Sequence, residues 1–307
     1  MIWCETDMDA FFLKVIPLIL AFCFGIFIKQ VKLMSKDDAG IILRLVLTTT
    51  LPALTLLSIL KVNLKAELLY LPFTAQIVVF CIYGIAWWVG KKLKLPQATF
   101  GTFLVGCMIM NTGFSLPFFQ AKFEMEGFAR ASLFDIGNSF LIFTFVYYNA
   151  IKFGDNGHSD KIDWAKFAKL PPLWGLLIGL TIRAVHWQVP AIGINFLNLV
   201  GQPTSPLIMI ALGLVFEPKL KRLNAVMTAI FIRMGIGLLL GWLLTLVFNI
   251  QGMTRTIIIA SSSTPIGFNT LIFSNLENMD REFAASMVSY SILIALGYLP
   301  LIIWLFS

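Results

Sequence analysis

Three stretches of this chain combine residue types and spacings suited to holding or moving a small polar solute. The first is Met110-Asn111-Thr112-Gly113-Phe114-Ser115-Leu116-Pro117, where an amide, two hydroxyls and a glycine precede a proline. Pro117 deletes a backbone donor and crowds the turn before it, while Gly113 adopts non-helical dihedrals without a Cβ penalty. A helix through this stretch is expected to break. The second is Ser261-Ser262-Ser263-Thr264-Pro265-Ile266-Gly267-Phe268-Asn269, in which Thr264 before Pro265 reads as an N-cap followed by a first helical residue. The third is Phe134-Asp135-Ile136-Gly137-Asn138-Ser139, whose spacing puts a carboxylic acid and an amide on nearly one helical face.

In an apolar medium the N–H and C=O groups freed by a broken helix are costly unless protein or a wet cavity receives them, so such breaks rarely persist without use. A helix that resumes after a break presents free donors and a positive partial charge at its N-terminus, and a carboxylate is the ligand that suits it. Asn111, Thr112, Gly113, Ser115, Asn138, Ser263, Thr264 and Asn269 are therefore candidate substrate-binding residues, with Pro117, Pro265 and Gly267 as the helix breakers. A proline kink packed against its neighbours is the plainer reading of one such site. Two related breaks, each rich in Asn, Ser or Thr, favour use.

Asp135 admits three roles: proton coupling, lining of a polar pocket, or structural pairing. Arg233 is expected roughly 13 Å along its span, at 1.5 Å per residue, where it could pair with Asp135, attract an anion or serve structure alone. Lys14, Arg44 and Arg183 lie close enough to span ends to reach the headgroups. Thr50, in Thr48-Thr49-Thr50-Leu51-Pro52, and Ser205, in Gln202-Pro203-Thr204-Ser205-Pro206, are further candidates for lining a cavity. Hydroxyls of this kind also bond back to their own helix.

The elements that position these residues follow from composition. Hydrophobic residues make up 58% and charged residues 13% of 307 positions, too apolar for a single soluble globule. Segments long enough to span a hydrocarbon core fall at Phe11–Ile28, Ala39–Leu60, Leu68–Val89, Ala98–Gln120, Gly127–Asn149, Pro171–Trp187, Leu197–Phe216, Asn224–Asn249, Thr254–Leu276 and Phe283–Phe306. The fold class expected is thus an all-α membrane protein of ten transmembrane helices. Met1–Ala10 carries Glu5, Asp7 and Asp9 and no basic residue, unlike the start of a cleaved leader, so the first helix is expected to stay.

The net charge of +7 comes from Lys and Arg scattered over short loops, which form no face for nucleic acid. Lys29, Lys32, Lys36, Lys91, Lys92, Lys94, Lys152, Lys161, Lys166, Lys169, Lys219, Lys221, Arg222 and Arg281 fall in alternate loops. By the positive-inside rule those loops are cytoplasmic and both termini lie outside. Cys4, Cys23, Cys81 and Cys107 have no metal-type spacing, and His158 and His186 fall in loops on opposite sides, so neither a metal nor a resident cofactor is expected.

The longest polar stretch, beginning Gly154-Asp155-Asn156-Gly157, lies at mid-chain. It divides a first five-helix repeat, 1–153, from a second, 170–307, through a linker, 154–169. Within it Trp164 and Phe167 among Lys161, Lys166 and Lys169 suit either an interfacial helix on the anionic leaflet or a solvated loop. A shift of 154 residues superposes Pro17 on Pro171, Pro52 on Pro206, Gly113 on Gly267, Phe114 on Phe268, Ala131 on Ala285 and Ser132 on Ser286. With an odd helix number per half, the second repeat enters the membrane inverted, the plan of many secondary transporters.

Arg44-Leu-Val-Leu-Thr-Thr-Thr-Leu-Pro-Ala-Leu, the Asn111 to Pro117 break, Phe134-Asp-Ile-Gly-Asn, Leu207-Ile-Met-Ile-Ala-Leu-Gly-Leu and the ending Ala284-Ala-Ser-Met-Val-Ser-Tyr-Ser with Leu299-Pro-Leu resemble the auxin efflux carrier family over nearly the whole chain. That family includes bacterial members and the plant PIN-type carriers. The resemblance implies a fold like that of bile-acid symporters, with scaffold and mobile helix sets and crossing, broken helices four and nine. It implies that Asn111 helps hold a substrate carboxylate, that Pro265 is the helix-nine crossover proline, and that Asn138 and Asp135 are the polar helix-five positions. The short linker lacks the long cytoplasmic loop of many plant carriers, so a small organic anion such as malonate is expected rather than auxin.

The function expected is a permease of the plasma (inner) membrane moving a small organic anion by alternating access, with proton or sodium coupling and a homodimer left open. A cation/proton antiporter or sodium-coupled symporter on a related fold is the alternative, although Asp135 has no acidic neighbour in its helix. An intramembrane enzyme is not expected, because no H-E-x-x-H, G-x-S-x-G or nearby pair of membrane aspartates occurs.

Overall fold

A computed structural model describes residues 7–61, 66–154, 171–219 and 222–307. The expected linker helix with Trp164 and Phe167, His158 and Cys4 lie outside the described residues. The described residues are helical almost throughout. In chain order they form α1 (Asp7–Gln30), α2 (Lys36–Leu45), α3 (Leu51–Lys61), α4 (Tyr70–Lys92), α5 (Gln97–Met108), α6 (Thr112–Leu141), α7 (Tyr147–Phe153), α8 (Pro171–Ala184), α9 (Ala191–Gly201), α10 (Thr204–Val215), α11 (Leu223–Ile230), α12 (Gly237–Val247), α13 (Gly252–Ser262), α14 (Asn269–Leu276) and α15 (Arg281–Phe306).

Several of these are one continuous helix with a local π turn. Such turns, Val46–Thr50, Ile142–Val146 and Phe231–Ile236, join α2 to α3, α6 to α7 and α11 to α12. Conversely, Glu124 has φ 53° and ψ −140°, which divides α6 into two helices near the expected loop between spans four and five.

Among the described residues, six helical stretches are long and apolar enough to cross a membrane: Ala10–Gln30, Lys36–Lys61, Tyr70–Lys92, Ala191–Val215, Leu223–Val247 and Arg281–Phe306. Ten windows are expected, and the difference has a local cause in two of the missing four. The fourth and ninth windows are interrupted, leaving α5 at 12 residues, α13 at 11 and α14 at 8. Large apolar side chains such as Phe24, Ile192, Phe196 and Val247 point away from the protein interior, as lipid-facing residues do.

The described residues sort into two compact units, each drawn from both halves of the chain. One contains 7–61, 116–132 and 171–215; the other contains 66–115, 133–154, 216–219 and 222–307.

The first unit is assembled on small residues. Gly25 of α1 and Gly213 of α10 let two backbones touch: a Cβ on Gly213 would meet the Phe22 carbonyl oxygen and sit 2.9 Å from the Gly25 Cα. Small residues at such crossings are how helices associate where lipid removes the hydrophobic drive. Ser35 opens α2 with a capping box, its backbone N–H donating to Asp38 Oδ2 at 2.7 Å. Arg183 is held by protein, its Nη1 donating to the carbonyls of Ile59 and Leu60 at 3.3 Å each at the end of α3.

In the second unit the buried rings of Phe103, Phe114, Phe134 and Phe283 form much of the interior. Gly137 lies against the backbone of Pro72, where any Cβ would collide with the Pro72 carbonyl. That contact seats the Asp135–Asn138 turn of α6 against α4.

Candidate functional site

Both interruptions lie in the second unit, and they meet. Residues 109–111 leave the helix after α5, with Ile109 extended at φ −79° and ψ 116°, and residues 263–268 do the same between α13 and α14. Met110 and Ile266 pair as an antiparallel β-bridge. The Asn111 N–H donates to the Pro265 carbonyl and the Gly267 N–H to the Ile109 carbonyl, both at 3.0 Å. The Ile266 N–H donates to Ser291 Oγ of α15 at 3.0 Å. Backbone groups released by one break are thus received mainly by the other, the condition for irregular backbone in a membrane interior.

This arrangement corrects two sequence expectations about where the helices stop and start. The break in the fourth window lies at 109–111, and Pro117 sits in the second turn of α6. Asn111 starts that helix upstream of the proline, because its Oδ1 accepts the Phe114 N–H at 3.2 Å as an N-cap. In the ninth window Thr264 is no N-cap: α14 begins at Asn269, and Thr264 Oγ1 donates to the Ser261 carbonyl at 2.9 Å. The bridge to Met110 keeps residues 265–267 extended, so tertiary pairing overrides the local Thr-Pro helix-start signal. Gly267 permits the approach, since a Cβ there would meet Ile109 Cγ2 and lie 3.3 Å from the Met110 carbonyl oxygen.

Around the crossing the polar side chains are tied together. Thr112 Oγ1 donates to Asp135 Oδ1. Asn138 Nδ2 donates to the Met110 carbonyl at 3.2 Å and to Asp135 Oδ1 at 3.0 Å, and Ser139 Oγ donates to Asp135 Oδ2 at 3.3 Å. Asp135 and Asn138, three residues apart on α6, therefore hold both the extended segment and the first residue of the helix that follows it. Ser115 Oγ donates to the Thr112 carbonyl at 2.8 Å and Ser263 Oγ to the Ala260 carbonyl at 3.1 Å.

Some polar atoms here are buried without a hydrogen-bond partner: Asn111 Nδ2, Asn138 Oδ1, and the hydroxyls of Ser261, Ser262 and Thr270. Buried orphans are uncommon and each asks for a partner. Asn111 Nδ2 is the most telling, because it is an amide donor at the N-terminus of α6, where the helix dipole also favours negative charge. The N-terminus of α14 is less open, since Thr270 and Leu271 donate to the carbonyls of Gly267 and Phe268 at 3.0 and 2.9 Å.

The structure brings together Asn111, Thr112, Asp135, Asn138, Pro265 and Gly267, with Gly113, Ser115, Ser263, Thr264 and Asn269 on the helix ends beside them. Thr50 and Ser205 belong to the first unit. There Thr50 Oγ1 is buried without a partner, and Ser205 Oγ donates to Gln120 Oε1 at 2.7 Å.

Arg233 does not pair with Asp135. Its guanidinium donates from Nη1 to the Cys107 carbonyl at 3.1 Å and from Nη2 to the Ser262 carbonyl at 2.5 Å. Depth along its span was visible in the sequence, but main-chain carbonyl partners leave no sequence signature. Ser291 escaped notice for the same reason, as one hydroxyl among many in a membrane helix.

Two extended segments paired between half-helices are a transporter-like feature, and comparison with known proteins agrees. The model of the membrane transport protein family matches residues 10–304. The chain belongs to that family, the auxin efflux carriers of the resemblance above. It is 28% identical over 275 residues to an uncharacterised transporter of Methanocaldococcus jannaschii, covering 86% of this chain and 88% of that protein. It is 25% identical over 297 residues to an uncharacterised transporter of Methanothermobacter thermautotrophicus, covering 94% of this chain and 95% of that one. The chain is therefore an integral membrane protein of a transport family, and that family is not one of enzymes.

Proposed function

We propose that this protein is a secondary transporter that moves a small organic anion, of the size and charge of a short-chain carboxylate, by alternating access. One observation carries the reading: the unpartnered Asn111 amide stands at the start of α6, where chain and dipole both offer positive character. Ten spans in two inverted five-helix repeats, 1–153 and 170–307, give this reading its frame. In support, both interruptions occupy matching places, with Gly113 and Gly267 lying 154 positions apart. Thr112, Gly113 and Ser115 contribute the first turn of the receiving helix, and Ser263, Thr264 and Asn269 flank the opposite half-helices. Both termini face outward from the plasma membrane, by the charge of alternate loops.

Coupling is assigned to protons through Asp135. Its carboxylate links Thr112 to Asn138, so a change of its charge alters the hydrogen bonding of the segment that would carry substrate. Proteoliposome uptake with a panel of radiolabelled mono- and dicarboxylates, with and without imposed proton or sodium gradients, tests substrate class and coupling together. Accumulation of at least one carboxylate under an inward proton gradient is expected. Carboxylates that enter no faster than into protein-free liposomes, under any gradient, would end the reading.

A further inference from the structure

We propose that the Arg233 guanidinium is a tethered counter-cation, occupying the place where the two interrupted helices would otherwise hold a free monovalent cation. The inference deepens the transport reading and rests on it for its functional meaning; its geometry stands alone.

Cys107 lies in the last turn of α5 and Ser262 ends α13, so neither carbonyl has an intrahelical donor. Both point at one group. Two helix C-termini carry about −0.5 elementary charge each, so together they present about −1 in a region with little water. Half-helix C-termini and unwound carbonyls in broken-helix transporters are where coupling cations bind. Here one guanidinium supplies the compensating unit of charge and donates to both ends, at 3.1 and 2.5 Å.

The local backbone is shaped to permit this. Arg233 sits within the π turn Phe231–Ile236, a widened turn of the kind often found at functional positions. Gly237, four residues on, leaves the space the guanidinium crosses: a Cβ there would lie 2.8 Å from Arg233 Nη2 and collide with the Ser262 carbonyl. The side chain is wholly buried, and its Nε has no partner. Burying a charge is costly unless an opposing potential repays it, and the paired helix ends are that potential.

The consequence is an asymmetric crossing. Its C-terminal ends are neutralised permanently by a residue that cannot dissociate, whereas the N-terminal end of α6 keeps its positive character for a substrate. Sodium then has no vacant carbonyl pair at this place, which sets a specificity: substrate binding and folding proceed without a bound monovalent cation.

The test uses purified full-length protein and thermal unfolding in about 100 mM NaCl against choline chloride, with no substrate present. Wild type is expected to unfold at the same temperature in both salts. Arg233→Ala is expected to unfold several degrees lower in choline and to regain part of that loss in sodium, or in low millimolar guanidinium, because a mobile cation fills the emptied carbonyl pair. A packing role alone would lower Tm without any dependence on the cation. Should Arg233→Ala not yield folded protein, Arg233→Lys, which keeps the charge, is expected to fold and Arg233→Met, which keeps the length without it, to be markedly less stable. The proposal is overturned by a sodium-specific rise in wild type, by an Arg233→Ala loss that no small cation restores, or by Arg233→Met matching wild type. None of these readouts involves a carboxylate, so failure here and failure of the uptake panel are separate results.

Discussion

Replacing Asn138 with alanine should loosen the crossing, and the size of the effect can be worked from its bonds. The Asn138 amide donates to the Met110 carbonyl at 3.2 Å and to Asp135 Oδ1 at 3.0 Å, and the side chain is fully buried. Interhelical hydrogen bonds in membrane proteins contribute about 0.6 kcal/mol on average and up to about 1.7 kcal/mol. Both acceptors would be left behind in the interior, and a buried acceptor that loses its donor costs about 1–3 kcal/mol. Asp135 keeps Thr112 and Ser139 as donors, so the larger penalty falls on the Met110 carbonyl. Removing the unpartnered Asn138 Oδ1 offsets part of this loss. A total of about 1–3 kcal/mol follows, and at about 2 °C per kcal/mol for a chain of this size Tm should fall by about 2–6 °C. Thermal unfolding of purified protein in nanodiscs reads this directly. Ser139→Ala is the internal comparison, since it removes a single weak bond of 3.3 Å and should shift Tm by less than about 2 °C. An Asn138→Ala protein as stable as the Ser139→Ala protein would refute the claim that Asn138 ties the extended segment in place.

Other outcomes follow from the same geometry. Asp135→Asn should abolish proton-driven accumulation while leaving substrate exchange measurable in proteoliposomes; normal accumulation would remove Asp135 from the coupling step. Asn111→Ala should lower uptake by at least tenfold at unchanged yield of folded protein, with a modest stability loss of about 1 kcal/mol for the missing N-cap. Gly267→Val should prevent the bridge to residues 109–111, because even a Cβ meets the Ile109 side chain there, and should give little protein that survives size-exclusion chromatography. Gly213→Leu should disrupt the first unit by forcing α1 and α10 apart, with a Tm loss larger than that of Asn138→Ala.

Much of the helical plan could be read from hydropathy, because lipid imposes a length on apolar segments that water does not. The interruptions were legible too, from Asn, Gly and Pro gathered in otherwise apolar windows. Their positions were less so. Pro117 marks a helix that must be irregular somewhere nearby, but the irregularity lies at 109–111, where a partner segment is available to take the Asn111 N–H. Thr264-Pro265 carries a good local signal for a helix start, and the pairing of Ile266 with Met110 overrides it. Arg233 shows the other limit. A basic residue deep in a span announces that something must compensate it, yet the compensating atoms are carbonyls of Cys107 and Ser262, which any residue would have supplied.

Asn111→Asp offers the most direct test of the claim that an anion sits at the start of α6. Aspartate caps a helix as well as asparagine does, so the Phe114 N–H keeps its acceptor and the fold its stability. The Nδ2 donor becomes a carboxylate oxygen facing the incoming charge. Equilibrium binding of the carboxylate that wild type transports should therefore weaken by at least a hundredfold in Asn111→Asp at matched Tm. Equal binding by the two proteins would contradict the account at its centre.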